Sequence, residues 1–118
     1  MVDVSVIIPA YNASDTLQRT LGYLEEQAFD DMEVIFVVDD RSTDGSQGYA
    51  RELTERFRGF RTILQNGSGR LGEARNIGLD AAVGKYVWFL DADDRPYPDF
   101  LRTMYSLSEE HDAEITQC

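Results

Sequence analysis

The chain has 118 residues, of which 42% are hydrophobic and 28% charged, a composition typical of one globular domain with its own core. Its 22 acidic and 11 basic residues give a net charge of −11, which argues against nucleic acid as a partner because contact with a phosphate backbone needs a basic face. The same charge disfavours a bare anionic ligand unless a cation binds with it.

The first half of the chain alternates strand and helix. Two apolar, β-branched runs, Val4–Pro9 and Met32–Val38, predict buried strands. Ser14 stands where a helix N-cap is expected, and a second helix is predicted to begin near Asp44–Ser46. Apolar residues at helical spacing predict the inward faces of these two helices: Leu17, Leu21 and Leu24, then Tyr49, Leu53 and Phe57.

The second half continues the alternation. Phe60–Gln65 predicts a weaker third strand, and the glycine-rich loop "NGSGRLG" leads into a helix that is ended by Gly84. Lys85–Leu90 predicts a fourth strand, a helix starts from about Pro98, and "AEITQC" (113–118) predicts a fifth strand. The predicted inward faces of these helices are Ala74, Ile77 and Ala81, then Phe100, Leu101, Met104 and Leu107.

This pattern predicts the fold class. Near-continuous apolar strands that alternate with amphipathic helices indicate an open parallel sheet covered on both faces, a three-layer α/β/α sandwich. Right-handed crossovers favour the strand order 3-2-1-4, with the fifth strand added. After the third strand the chain crosses back over the sheet, so the switch point of the strand order lies between strands one and four. Open α/β sheets bind ligands at such a switch point, beyond the carboxyl ends of the strands.

The location of the protein is predicted from what the sequence lacks. It has no run of eighteen apolar residues, so no membrane span is expected, and its start lacks the basic region and cleavage pattern of a signal peptide. Its one cysteine, Cys118, excludes an internal disulfide and fits a reducing compartment. We expect a cytoplasmic protein, with the inner face of the membrane as the alternative for a longer form.

Polar segments follow three of the predicted strands. Pro9–Asn12 leaves the first strand, Asp39–Gly45 the second and Asp91–Asp94 the fourth. Because the carboxyl ends of parallel strands lie at the same edge of a sheet, we expect these three segments to meet there and to form the ligand site.

The acidic residues of this edge favour a cation and a nucleotide. Asp91 and Asp93 form a D-x-D pair that can hold Mn²⁺ or Mg²⁺, since these ions prefer oxygen ligands and combine a few carboxylates with waters and phosphates. A nucleotide diphosphate therefore suits the site better than free phosphate. A carboxylate of the pair Asp39–Asp40 can accept a hydrogen bond from a base N–H such as that of uracil, and Tyr11 can stack on the base.

Each of these features also has a purely structural interpretation. Arg70 and Arg75 can contact a diphosphate or pair with the aspartates, but Arg75 can equally be a structural helix arginine. Tyr11 can simply cover the sheet edge, and "DDRSTDG" can be turn and capping chemistry. A D-x-D pair alone is a weak signal. The prediction of a site therefore depends on several segments meeting at one edge.

Taken together, four stretches resemble a known family. "VSVIIPAYN", "EVIFVVDDRSTDG", "GEARNIGLDAAVGKYVWFLDADD" and "PDFL" are similar, in order and spacing, to the glycosyltransferase family 2 nucleotide-sugar transferases of GT-A fold. The resemblance covers nearly the whole chain. It implies an inverting, metal-dependent transferase that moves a sugar from a nucleotide diphosphate sugar, a UDP-sugar by the expected base, to a hydroxyl of a saccharide or lipid-linked acceptor.

The resemblance also implies roles for individual residues. The segment "PAYN" lines the nucleotide pocket and Asp40 binds uracil. The D-x-D serves the ribose and the divalent metal, with Asp93 as the surer metal ligand beside Asp91. The nucleotide-contacting residues that it implies are Pro9, Ala10, Tyr11, Asn12, Asp40, Arg70, Arg75, Asp91 and Ala92.

The chain departs from the family pattern in two ways. Arg41 stands where members often have glycine, so it is expected to crowd that loop or add a contact. Family members are usually longer, and their catalytic base, commonly an aspartate of an "ED" pair, follows the fifth strand. We therefore expect residues 1–118 to be one donor-binding domain, cut before the acceptor half, with no catalytic residue and no transfer activity of its own.

Other classes of protein fit the residues less well. A receiver-like signalling domain also binds Mg²⁺ with clustered aspartates, but it needs an acidic pair after strand one and a lysine after strand five. Here strand one ends in "PAYN", and the only lysine, Lys85, opens strand four. A nucleotidyltransferase needs a glycine-rich basic loop after strand one. A non-catalytic nucleotide-binding module remains the open alternative.

Overall fold

A computed structural model describes residues 2–27, 31–56, 59–65, 71–91, 96 and 100–112 of the chain. Strand and helix alternate throughout this part, as the apolar periodicity predicts. The elements are β1 (Val4–Ala10), α1 (Ser14–Glu26), β2 (Met32–Asp39), α2 (Ser46–Arg56), β3 (Phe60–Gln65), α3 (Leu71–Ala81), β4 (Tyr86–Phe89) and α4 (Phe100–His111).

The four strands form one parallel sheet in the order β3-β2-β1-β4, which confirms the predicted topology. The central pair is in register from Val4 opposite Met32 to Ala10 opposite Val38. The predicted fifth strand, 113–118, lies outside the described residues. Because all four strands are parallel, their carboxyl ends lie along one edge. The strand order reverses between β1 and β4, which makes this position the switch point of the sheet.

Helices cover both faces of this sheet, so the three-layer prediction is also confirmed. Alternate residues of β1 point to opposite faces, since side chains in a strand have a period of two. Ile8 packs in the larger cluster with residues of α1, α2 and α4, whereas Ile7 packs in the smaller cluster with residues of α3. The fully buried anchors of the larger cluster include Leu17, Phe36 and Leu53.

Among the described residues, the predicted helix faces are confirmed with one exception, and Phe57 lies outside those residues. Leu107 of α4 is 40% exposed, although its spacing from Leu101 and Met104 places it on the predicted inward face, and Ser108 is buried beside that face instead. The hydroxyl of Ser108 donates to the Met104 carbonyl 2.9 Å away, which satisfies it inside the helix. Every helix of the described residues is too short or too polar to span a lipid bilayer.

A buried carboxylate ties three strands together at the amino edge of the sheet. Glu33 of β2, only 5% exposed, accepts hydrogen bonds from the Ser5 hydroxyl at 2.5 Å and from the Arg61 guanidinium at 2.7 Å. It also accepts the backbone N–H of Val83, in the loop before β4, at 2.8 Å. A buried charge is tolerated when it is paired and hydrogen-bonded, and these donors meet that condition for Glu33.

Gly84 completes this arrangement because nothing larger fits there. Its N–H donates to the Ser5 hydroxyl at 2.8 Å, and a Cβ on Gly84 would lie 2.6 Å from the backbone nitrogen of Ser5. The loop before β4 therefore approaches the backbone of β1 as closely as only glycine allows. The buried network fixes the amino edge of the sheet and leaves the carboxyl edge to the loops.

Candidate functional site

Two of the three polar segments, Pro9–Asn12 and Asp39–Gly45, lie where their strands end at the carboxyl edge of the sheet, and of the third only Asp91 is among the described residues. β1 lies between β2 and β4, so Tyr11, which follows β1, lies between the loop after β2 and Asp91. The amide of Leu90 still donates to the Ile7 carbonyl at 3.0 Å, so Asp91 leaves the sheet beside β1. Asp40 leaves it on the other side, directly after β2.

The loops after β1 and β2 are joined by the side chain of Asn12. Its side-chain oxygen accepts the backbone N–H of Thr43 at 2.7 Å, and its own backbone N–H donates to the Ser42 hydroxyl at 3.1 Å. Asn12 has a positive φ of 47°, a conformation that asparagine adopts more readily than most residues. Asn12 was predicted to contact the nucleotide, and the bonds described here hold the two loops together.

The N-terminus of α1 is capped by the neighbouring loop and not by Ser14, so that prediction is wrong. The backbone N–H of Ala13 donates to the Ser46 hydroxyl at 2.8 Å, and that of Ser14 donates to the Asp44 carboxylate at 2.9 Å. Ser14 makes no side-chain cap and is the first residue of the helix. Acceptors that lie about thirty residues away have taken the role of a local cap.

Asp44 serves this loop structure, as the capping interpretation of "DDRSTDG" predicts. Its carboxylate accepts the hydroxyl of Ser46 at 2.5 Å and the backbone N–H of the same residue at 3.1 Å, in addition to Ser14. The hydrogen bond from the Ser46 side chain, followed by that from the Ser14 backbone, lowers the pKa of Asp44 to about 2. Asp44 therefore stays ionised at neutral pH and belongs to the scaffold of the site.

The two adjacent aspartates after β2 have different environments. Asp39 is 3% exposed, and its carboxylate accepts three hydrogen bonds from Arg41: from the backbone N–H at 2.9 Å, from Nε at 3.2 Å and from Nη2 at 3.1 Å. The side chain of Arg41 is the main reason that the pKa of Asp39 lies below its ordinary value. Asp40 is exposed, while its backbone is fixed by its N–H donating to the Gln65 carbonyl at 3.0 Å. Of the pair, Asp40 is the carboxylate that reaches the surface.

Arg41 also lies over the aromatic ring of Tyr11. The guanidinium carbon is 5.7 Å from the ring centroid, within the range of a cation–π contact. Tyr11 is nonetheless 57% exposed. The sequence indicated only that Arg41 would crowd its loop or add a contact; the structure shows that it joins the ends of β1 and β2.

Pro9 and Ala10, the other predicted residues of this segment, are part of β1. Ala10 is 4% exposed and packs in the larger core cluster, and Pro9 is half-buried opposite Val37 of β2. Both residues belong to the strand, and Tyr11 is the first exposed residue of the segment.

On the opposite side, Arg75 of α3 pairs with Asp91. Arg75 Nη2 lies 3.3 Å from Asp91 Oδ1, and its guanidinium carbon lies 5.7 Å from the ring centroid of Phe89. Both side chains are about two-fifths exposed, so solvent still reaches the pair. The Nε of Arg75 is buried, and it donates no hydrogen bond within the described residues. The predicted pairing of Arg75 with an aspartate is thus present.

The remaining predicted residues, Arg70, Ala92 and Asp93, lie outside the described residues. Within those residues, no group of three or more His, Cys, Asp or Glu side chains is placed to hold a metal ion. Asp91 supplies one carboxylate at the end of β4, which suits a hard cation in donor chemistry, because Mg²⁺ and Mn²⁺ take oxygen ligands and Mg²⁺ often uses only one or two carboxylates. The donor chemistry of Asp91 is thus compatible with a divalent cation, and its predicted partner Asp93 lies outside the described residues.

An apolar groove of about 480 Å³ lies elsewhere, between β4 and α4. Aromatic and aliphatic side chains such as Trp88, Phe100 and Met104 line it, and none of the described residues that line it is acidic. We therefore place the candidate site at the polar edge and not in this groove.

Comparison with known proteins agrees with this geometry. The family model for glycosyl transferase family 2 matches residues 5–118. The uncharacterized glycosyltransferase YibD of Escherichia coli strain K12 is 38% identical over 115 residues, which are 98% of this chain and 33% of YibD. The chain thus spans about a third of the length of this curated relative.

Two solved structures share the fold. The crystal structure of Staphylococcus aureus TarS 1-349 in complex with UDP superposes with a TM-score of 0.84 at 29% identity, over 94% of this chain and 33% of the other. TarS has also been crystallised with UDP-GlcNAc. The mannosyltransferase PcManGT from Pyrobaculum calidifontis, in complex with GDP-Man and Mn²⁺, superposes with a TM-score of 0.68 at 32% identity, over 83% of this chain and 30% of the other.

Proposed function

This chain belongs to glycosyl transferase family 2, and on that premise we propose that residues 1–118 act as one donor-binding domain of an inverting, metal-dependent glycosyltransferase. The donor is a UDP-sugar, and the acceptor is a hydroxyl of a saccharide or of a lipid-linked compound. The activity, the donor and the acceptor are those of a whole enzyme, and this chain spans about a third of the length of its relative YibD.

One observation carries the proposal: Asp40, Tyr11 and the pair Arg75–Asp91 lie in this order along the carboxyl edge of a parallel sheet. An exposed aromatic ring, an exposed carboxylate and an arginine beside an aspartate are the groups that a base, its N–H and a diphosphate with its cation require. Their spread along the edge matches a ligand that is long and chemically different at its two ends.

At one end, Asp91 together with Asp93 would hold the divalent cation. When bound, the cation would act as a Lewis acid toward the diphosphate oxygens and stabilise the departing nucleotide. Arg75 already lies against Asp91, with its Nη2 3.3 Å from Asp91 Oδ1. We propose that the same guanidinium turns its donors to the diphosphate when the ligand binds.

At the other end, Tyr11 would stack on the base and Asp40 would accept the N–H of uracil. The likeness to TarS, crystallised with UDP and UDP-GlcNAc, supports uracil. The likeness to PcManGT, crystallised with GDP-Man, supports guanine as the alternative base, since both structures share this fold. TarS is the closer of the two in backbone, with a TM-score of 0.84 against 0.68.

Titration calorimetry in the presence of Mn²⁺ tests the base assignment. We expect UDP to bind more tightly than GDP or ADP, and Asp40→Asn to weaken UDP by about ten- to a hundredfold, because a hydrogen bond to a charged group is worth about 1.5 to 3 kcal/mol. Asp80→Asn, which removes one exposed charge from the outer side of α3, is the matched control and should bind UDP like the wild type.

Two results would contradict the assignment. Equal or tighter binding of GDP would point to a guanine donor, and UDP binding that is unchanged in Asp40→Asn would remove that carboxylate from base recognition.

A further inference from the structure

We propose that Arg41 is a positioning residue for the nucleotide base, which it serves by holding the ring of Tyr11. The inference rests on the proposed function and adds a residue to it. Arg41 was expected to crowd its loop or add a contact, and it contacts both Asp39 and the ring of Tyr11.

The guanidinium of Arg41 is fixed before any ligand arrives. Nε and Nη2 donate to the two oxygens of Asp39 at 3.2 and 3.1 Å, and the backbone N–H of Arg41 donates to the same carboxylate at 2.9 Å. Asp39 is itself buried at the end of β2, so its carboxylate is a rigid anchor. A bidentate arginine–carboxylate pair fixes the orientation of the guanidinium as well as its distance from the carboxylate.

From this anchor the guanidinium reaches the neighbouring loop. Its carbon lies 5.7 Å from the ring centroid of Tyr11, so the cation is attracted to one face of the ring. The backbone on both sides of the contact is also held, because Asn12 bonds Ser42 and Thr43 across the two loops. The tyrosine side chain, which would otherwise turn freely at the surface, therefore has a preferred orientation.

This orientation leaves ring surface available to a ligand. Tyr11 remains 57% exposed with Arg41 against one face, so a base can stack on the ring without displacing the arginine. A ring that is already held loses less conformational entropy when the base binds, so the base binds more tightly. Arg41 thus acts on the base through Tyr11, and it does not act on the diphosphate end of the site.

A double-mutant cycle tests the proposal by titration calorimetry with Mn²⁺ present. The variants are Arg41→Gln, Tyr11→Ala and the two combined, and the control is Arg51→Gln, which removes an exposed arginine of α2. We expect Arg41→Gln to weaken UDP by about three- to fivefold, the size of an exposed cation–π contact. In the Tyr11→Ala background the same change should have almost no effect, because coupled residues are not additive.

Inorganic pyrophosphate is the second ligand, since it offers the diphosphate without the base. Its binding with Mn²⁺ should be the same in the wild type, in Arg41→Gln and in Arg51→Gln. The proposal is overturned if Arg41→Gln binds UDP normally, if its loss persists unchanged in the Tyr11→Ala background, or if pyrophosphate binding falls equally. If the wild-type chain does not bind UDP at all, the proposed function is overturned too. If it binds UDP and Arg41→Gln binds equally well, only the role of Arg41 is overturned.

Discussion

Glu33→Gln is expected to lower the free energy of unfolding by about 2 to 3 kcal/mol, because a buried hydrogen-bonded carboxylate is replaced by an amide that repels some of its donors. The amide keeps the shape of the side chain but can accept fewer of the bonds that Ser5, Arg61 and the Val83 N–H make to Glu33. A small domain has only about 5 to 15 kcal/mol of stability in total, so this loss is large. Urea unfolding at pH 7 measures it.

Glu52→Gln is the matched control for this change. Glu52 forms a 3.9 Å ion pair with Arg56 in which both side chains are 58% exposed, so its replacement should change the stability by less than about 0.5 kcal/mol. If Glu33→Gln were no more destabilising than Glu52→Gln, the network at the amino edge would contribute nothing to the fold.

The same carboxylate makes stability depend on pH. Burial alone would raise the pKa of Glu33, but the hydrogen bonds from Ser5, Val83 and Arg61 outweigh it and hold the pKa below its ordinary value. A group with a lowered pKa in the folded state stabilises the fold above its unfolded pKa, and that contribution is lost as the pH falls through the folded pKa. The difference in stability between wild type and Glu33→Gln should therefore narrow as the pH is lowered from 7 toward 3.

Asp91→Asn is expected to abolish most of the thermal stabilisation that UDP and Mn²⁺ produce together. Ligand at a hundredfold its dissociation constant stabilises the folded state by about 2.7 kcal/mol, which is roughly ten degrees in melting temperature for a domain of this size. Mn²⁺ or UDP alone should give a small shift, because the cation needs the phosphates to complete its shell and the phosphates need the cation at an acidic edge. Asp93→Asn, predicted from the D-x-D spacing, should behave like Asp91→Asn.

Loss of the Arg75–Asp91 pair does not complicate this measurement. Both partners are about two-fifths exposed, so the pair contributes about 0 to 1 kcal/mol and the ligand-free melting temperature of Asp91→Asn should change little. Asp80→Asn controls for the loss of one acidic charge from the same helix–strand region. A full joint shift in Asp91→Asn would exclude this carboxylate from the cation site.

The elements of the fold could be predicted because their signals are local. β3 was predicted with its observed bounds, Phe60–Gln65, and β1 and β2 each extend one residue beyond the prediction. Runs of β-branched residues and helical spacing of leucines depend only on neighbouring positions, and the right-handed crossover rule then limits the strand order. Leu107 departs from the predicted face, since it is 40% exposed while the neighbouring Ser108 is buried.

The details of the site were harder to predict because its contacts join distant residues. The cap of α1 comes from Asp44 and Ser46, about thirty positions from Ser14, and no local pattern indicates it. The partners of Glu33 lie on β1, β3 and the loop before β4, and the apolar run "MEVIFVV" predicted only a buried strand. Likewise, the residue pattern alone did not distinguish the buried Asp39 from the exposed Asp40, and only the family resemblance selected Asp40.

The most direct test of the donor-binding claim is a titration of the ¹⁵N-labelled chain with UDP in the presence of Mg²⁺, followed by the backbone amide resonances. We expect shifts at the carboxyl edge, at Tyr11, Asp40 and Asp91, and unchanged resonances at the amino edge, at Glu33 and Gly84. Shifts confined to the amino edge or to the groove between β4 and α4, with none at the carboxyl edge, would contradict the donor-binding claim.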